Sequence, residues 1–141
     1  MIIAPQSLDT NLSQLLSEVK SGSMQLPEFQ RDWTWDDNRI KGIIASLSQG
    51  YPMGAIMRLQ YGNPDIQFKY RTISGVPVTD ITPEYLILDG QQRLTSIYQA
   101  TSSYDPVVTK TEKGKSVKRY YYLSMEKCMD ENEDRVDAVL S

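Results

Sequence analysis

The run Tyr85-Leu86-Ile87-Leu88-Asp89-Gly90-Gln91-Gln92-Arg93-Leu94-Thr95 constrains this chain more than any other. Its apolar start reads as a short buried strand, Asp89-Gly90 breaks it, and Gln91 to Ala100 follows helical spacing with Leu94, Ile97 and Tyr98 on the inner face. A strand that turns at once into a helix aims the helix's unpartnered first N–H groups at whatever lies beyond the strand, which makes an anion site. Gly90 lacks a Cβ, so it admits unusual torsions and lets a ligand approach the backbone. Arg93 falls in the first helical turn, where the helix dipole disfavours a cation, and a bound anion such as a phosphate would offset that repulsion. Gln91 and Gln92 add neutral donors and acceptors. A plainer reading stands beside this one: Asp89 caps the helix, Gly90 only turns, and Arg93 pairs with a surface carboxylate. The GxxxxGK[ST] pattern of a Walker loop is absent.

A second cluster is Leu26-Pro27-Glu28-Phe29-Gln30-Arg31-Asp32-Trp33-Thr34-Trp35, a polar and aromatic mixture without period, read as a loop after the short extended piece Met24–Pro27. Arg31 among aromatics suits stacking and phosphate contact. Glu28 and Asp32 are candidate Mg²⁺ ligands, since that ion favours carboxylates together with substrate phosphates. Trp33 and Trp35 read either as core anchors or as one anchor and one ligand cover.

The remaining chain fills in around these clusters. Residues 7–21 are expected to be helical, with Leu8, Leu12, Leu15, Leu16 and Val19 on one face and Gly22 as the stop. Residues 36–49 form a second expected helix, opened by Asp36 and Asp37, striped by Ile40, Ile43, Ile44 and Leu47, and closed by Gly50. Strands are expected over 55–59 and 66–73, and a hairpin over 107–124 turning at Lys113-Gly114-Lys115. That hairpin holds Lys110, Lys113, Lys115, Lys118 and Arg119 against Glu112, a net +4, followed by Tyr120, Tyr121 and Tyr122. It suits a DNA backbone and a stacked base, or simply a solvated hairpin with alternate tyrosines in the core. The stretch 126–141 is acidic, net −4, and reads as a C-terminal helix.

Composition narrows the chemistry. The 141 residues carry a net charge of −3 and contain no histidine and a single cysteine, Cys128. Histidine-dependent triads, dyads and metal sites are therefore excluded within this chain, as are an internal disulfide and a cysteine cluster. A length of 141 residues suits a single core rather than two. With 40% hydrophobic residues and neither a membrane-length apolar run nor a signal-like start, a folded cytoplasmic domain is expected.

Pro27-x-Phe29-Gln30-Arg31 followed downstream by Asp89-Gly90-Gln91-Gln92-Arg93 resembles the N-terminal domain of GmrSD-type modification-dependent restriction endonucleases, over roughly residues 7–125. The order of elements is also similar to the ParB/sulfiredoxin superfamily, where a Gly-x-x-Arg turn and its helix hold nucleotide phosphates. Gly90 and Arg93 match that turn, and Gln30 and Arg31 resemble its upstream box without the intervening proline. Gln91 stands where sulfiredoxin has its nucleophile and cannot attack sulfur, so sulfiredoxin chemistry is not expected.

The resemblance implies an α+β fold, with a small mixed sheet flanked by helices. It implies a nucleotide-binding, NTP-hydrolysing sensor domain over 1–125 that uses a nucleoside triphosphate and Mg²⁺. Asp89, Gln91, Gln92 and Arg93 would be its catalytic residues. Gly90, Arg93, Thr95, Gln30 and Arg31 would hold the nucleotide and its phosphates, and Asp89 with Glu28 the metal. Modified double-stranded DNA is the implied partner, together with an HNH-type nuclease domain. That domain needs a histidine and is expected outside this chain, with 126–141 starting the connection to it. A homodimer is left open. Two other readings remain: a non-catalytic DNA-binding module using the basic 107–122 hairpin, and a regulatory domain without nucleotide chemistry.

Overall fold

The computed structural model describes residues 7–62, 64, 65 and 67–141. Its elements run α1 (Leu12–Ser21), β1 (Met24–Pro27), α2 (Asp37–Ser48), β2 (Met57–Gln60), β3 (Tyr70–Arg71), β4 (Tyr85–Asp89), α3 (Gln91–Thr101), β5 (Val107–Lys110), β6 (Ser116–Arg119), β7 (Tyr122–Leu123), α4 (Met125–Met129), a 3-10 turn (Arg135–Ala138) and β8 (Val139–Leu140). The fold is α+β. Its main sheet has the order β2-β4-β1-β3, with β4 parallel to β1 and antiparallel to β2, and β3 antiparallel to β1. Two small two-stranded sheets pair β5 with β6 and β7 with β8. No helix among the described residues is long and apolar enough to cross a membrane.

Local chemistry explains most boundaries. Asn11, in extended torsions, accepts a hydrogen bond from the Gln14 N–H at 2.7 Å and starts α1 at Leu12, five residues later than the periodicity suggests, leaving Leu8 exposed. Gly22 ends the helix in the left-handed region, at φ 85°. Asp36 caps α2 as expected, accepting from the Arg39 N–H at 2.9 Å. The strand expected over 66–73 shrinks to the pair Tyr70–Arg71, and Ile66 lies outside the described residues.

The core is divided in two, against the expectation of one. Leu15, Val19, Met24, Leu26, Ile87 and Leu94 belong to the first cluster, between α1, the sheet and α3. Ile40, Ile44, Ala45, Val107 and Val139 form the second, joining α2, the β5–β6 hairpin and the C-terminal segment, with Trp33 and Trp35 packed against it. Val139 shows that the acidic stretch is not one helix. Helix α4 ends at Met129, and the chain then doubles back through the 3-10 turn so that Ala138 and Val139 are buried. Arg135 fastens this return, its guanidinium donating to the Ser48 Oγ at 3.1 Å and to the Cys128 carbonyl at 3.3 Å. The expected strand through Val117–Leu123 likewise breaks, and Tyr122–Leu123 pairs with β8 instead.

Tyr121 lies at that break, between β6 and β7. It turns into the second core and donates its hydroxyl to the buried Asp37 Oδ1 at 2.6 Å, while Lys41 and Arg119 lie 3.5 and 3.7 Å from the same carboxylate. Burial, and then the bond to Asp37, push the Tyr121 phenol well above its ordinary value of 10.0. A raised acid favours its neutral form in the fold, so the stability it supplies is intact below pH about 10 and lost above it. Denaturant titrations across this range should therefore show a steeper loss in the parent than in Tyr121→Phe. At neutral pH that variant should lose about 1.5–3 kcal/mol, the worth of a hydrogen bond to a charged group.

Candidate functional site

Helix α3 is buried at eight of its eleven positions, and five of the eight are polar: Gln91, Gln92, Thr95, Ser96 and Gln99. Buried polar groups need partners, and most of these find theirs on neighbouring loops. The Gln91 amide donates to the Arg31 carbonyl at 2.8 Å. Gln92 uses both ends of its amide, donating to the Asp32 carbonyl at 2.9 Å and accepting from the Thr34 N–H at 2.9 Å. Ser96 accepts from the Trp33 indole at 2.8 Å, and Gln99 donates to the Ser74 carbonyl at 2.9 Å. Gln30 reaches the other way, from the loop to the Leu88 carbonyl at the end of β4, at 2.9 Å.

Arg93 has a different task from the one its place in the sequence suggests. Its guanidinium donates to the carbonyls of Met53 and Ala55, each at 2.8 Å, and so pins the turn before β2. That turn comes close because of glycine. Gly54 has φ 99°, and a Cβ there would collide with the Arg93 guanidinium. Gly90 has φ 89°, and a Cβ there would meet Ile56 Cδ1 at 2.5 Å and the Ala55 carbonyl oxygen at 3.2 Å. Sequence reasoning missed this turn's part in the site; the Pro52-x-Gly54 pattern was its available signal.

Gly90 is the N-cap residue of α3 and no side chain caps it, so Asp89 is not a cap. The first N–H groups of the helix therefore face an open cleft of about 280 Å³ lined by Gln30, Arg31, Trp35, Leu88 and the residues Asp89 to Arg93. Two features of its wall stand out. The exposed Arg31 side chain has no hydrogen-bond or ion-pair partner among the described residues. Gln91 is more than nine-tenths buried, yet its Oε1 has no partner.

The structure thus gathers Gln30, Arg31, Asp89, Gly90, Gln91, Gln92 and Arg93 at one cleft and leaves other expected members aside. Thr95 is fully buried and off the cleft wall. Glu28 is exposed and also off the wall, and Asp32 pairs with Arg71 at 2.8 Å. No group of three metal-ligating side chains occurs among the described residues. Trp33 is an anchor, whereas Trp35 both packs on the second core and lines the cleft.

On the hairpin, Lys110, Lys113, Lys115 and Lys118 are exposed. Arg119 is not a free cation. It pairs across the hairpin with the buried Val107 and contacts Asp37 and the Ser141 hydroxyl, at 3.7 and 2.7 Å.

Fold and site together define an α+β domain organised around an uncapped, loop-stitched helix start. A family model for the GmrSD restriction endonuclease N-terminal domain matches residues 12–138, and the chain belongs to that family. The match runs through the doubled-back C-terminal segment as well as both motifs. An uncharacterized protein of Methanocaldococcus jannaschii is 33% identical over 98 residues, covering 66% of this chain and 17% of the relative. The chain thus corresponds to about a sixth of that relative's length. No solved structure matches it.

Because Gln92 satisfies two backbone groups of the loop, Gln92→Ala should destabilise the protein by about 2–4 kcal/mol. Arg31→Ala should change stability by less than about 0.5 kcal/mol. Denaturation midpoints of the two variants beside the parent check this contrast.

Proposed function

We propose that the cleft at the start of α3 binds the phosphates of a nucleoside triphosphate. On this reading the domain is the nucleotide-sensing, NTP-hydrolysing part of a modification-dependent, anti-phage DNA restriction system. The observation that carries the reading is the pairing of an uncapped helix N-terminus with an uncommitted arginine across one cleft. The N–H groups and the helix dipole favour an anion, and Arg31 supplies the opposing full charge in a fork suited to phosphate. The unpartnered Gln91 Oε1 supports it too, since a buried acceptor calls for a donor such as a ligand hydroxyl or a bound water. At about 280 Å³ the cleft lies at the lower end of small-molecule sites, which suits phosphate groups with the sugar and base extending beyond its mouth.

Two of the roles differ from those the sequence suggests. Arg31 is the phosphate-gripping cation, while Arg93 and Gln92 hold the walls in place. Asp89 is the one carboxylate among the lining residues. That fits a Mg²⁺ ion arriving with the phosphates rather than one held in a cage of protein ligands. Bound there, the ion would neutralise phosphate charge beside Asp89.

Isothermal titration with ATP, GTP, CTP and UTP, each with Mg²⁺, tests this reading. Binding of at least one nucleotide is expected, weakened roughly 10- to 100-fold by Arg31→Ala, the worth of a charge-assisted hydrogen bond. Asp89→Asn should retain metal-free binding and lose phosphate release. A folded parent protein that binds none of the four removes the proposal.

The hairpin supports a DNA-contacting role alongside this one. Register pairs Val108 with Lys118 and Lys110 with Ser116 on its exposed face, with Lys113 and Lys115 at the turn. Lysines so arranged neutralise phosphates without reading sequence. Reversing charge at Lys113 and Lys115 should weaken duplex binding and flatten its salt dependence. Unchanged binding would exclude the hairpin.

A further inference from the structure

The doubled-back C-terminal segment presents a surface that neither the cleft nor the hairpin uses. Tyr122 and Leu140 are cross-strand partners in the β7–β8 pair, so they share a face, and Tyr122 is 63% exposed. Met125 and Met129 lie four residues apart on α4, one turn of the same side, and are 71% and 80% exposed. Val136, on the 3-10 turn, is exposed as well. These elements are packed together: the Ser124 N–H donates to the Ala138 carbonyl at 2.8 Å, and the Lys127 ammonium to the Asp137 carbonyl at 3.4 Å.

The same segment carries an excess of exposed negative charge. Glu126, Asp130, Glu131, Glu133, Asp134 and Asp137 are all exposed, and none belongs to an ion pair among the described residues. The two cations of the segment form an ion pair with none of them and leave the net −4. Lys127 is turned to the Asp137 carbonyl, and Arg135 to Ser48 and the Cys128 carbonyl. Water-exposed methionine and tyrosine are unfavourable in isolation, and a contiguous apolar patch with a polar rim marks an interaction site. Methionine adapts its shape to a partner's side chains, and uncompensated carboxylates select cations around them.

We propose that β7, α4 and the 3-10 turn form a docking surface for a basic amphipathic segment of a partner polypeptide. The apolar face of that segment would lie on Met125, Met129 and Tyr122, and its lysines or arginines would meet the acidic rim. DNA and anionic lipid surfaces carry the wrong charge for it. A second copy of this chain would have to offer its lysine hairpin, whose exposed face holds few apolar side chains beyond Val108 and Tyr120.

The test uses a fluorescent 18-residue lysine–leucine peptide with leucines at helical spacing. Its controls are a scrambled peptide of the same composition and a glutamate–leucine version. Anisotropy should show saturable binding of the first only. Met125→Ser/Met129→Ser should weaken it at least tenfold with circular dichroism unchanged, since both side chains are exposed. Asp130→Lys/Asp134→Lys should weaken it similarly, while Arg31→Ala should leave it intact. Three outcomes overturn the proposal. One is no binding, another is equal binding of the scrambled peptide, and the third is indifference to the methionine pair. Sedimentation that shows self-association abolished by Met125→Ser/Met129→Ser overturns it as well, by assigning the surface to a second copy.

Discussion

A helix that is buried yet polar has to hydrogen-bond its way into the fold, and α3 does so at almost every turn. Its first turn alone reaches two separate stretches of backbone: Gln91 and Gln92 hold residues 31–34, and Arg93 holds Met53 and Ala55. Each of these bonds satisfies a group that would otherwise cost roughly 1–3 kcal/mol to bury. The helix stands between the two apolar clusters, with Leu94 and Tyr98 in the first and Ala100 against the second. Removing a polar group from α3 therefore loosens loops and core together.

Arg93 shows how the same physics admits two solutions. A cation in the first turn of a helix feels an unfavourable dipole and needs negative charge nearby. A bound phosphate would supply it, and so do two backbone carbonyls at 2.8 Å. Sequence exposes the need and not its source, because the Met53–Ala55 turn lies about 40 residues away along the chain. Arg31 presents the reverse case. Its neighbours in sequence include Glu28 and Asp32, yet Asp32 is taken by Arg71, which leaves Arg31 free to face the cleft.

What could be read from the chain was local. Asn11 aside, the stop at Gly22 and the cap at Asp36 lie where spacing and turn chemistry put them, Gly90 rather than Asp89 takes the cap position of α3, and β1, β4 and α3 follow their patterns closely. The convergence of the Gln30-Arg31 loop with the Asp89–Arg93 turn was legible too, through the pairing of motifs. The C-terminal segment was not. Its acidic composition suits a solvated helix, and only contacts across long sequence separations overrule that. Tyr121 bonds to Asp37, 84 residues earlier, and Arg135 to Ser48, 87 earlier. Two short strands, β7 and β8, carry too few residues for any alternation to show.

The stitching of α3 also decides how a ligand in the cleft would be felt elsewhere. The loop that carries Arg31 continues through Trp33, bonded to Ser96, to Trp35, whose carbonyl accepts from Thr109 on β5 at 2.8 Å. Trp35 both lines the cleft and packs on the second core, and that core includes Val139 of the doubled-back segment. An anion drawing Arg31 toward the start of α3 would thus act on a loop hydrogen-bonded to the lysine hairpin and packed against the core that Val139 shares. Any ligand that prefers this arrangement stabilises it in proportion to its occupancy. Linkage makes the effect reciprocal, so a partner that orders the hairpin or the C-terminal segment tightens the cleft by the same free energy. The proposed sites need not touch to be coupled, because α3 positions the cleft walls and α2, packed beside it, carries the C-terminal segment.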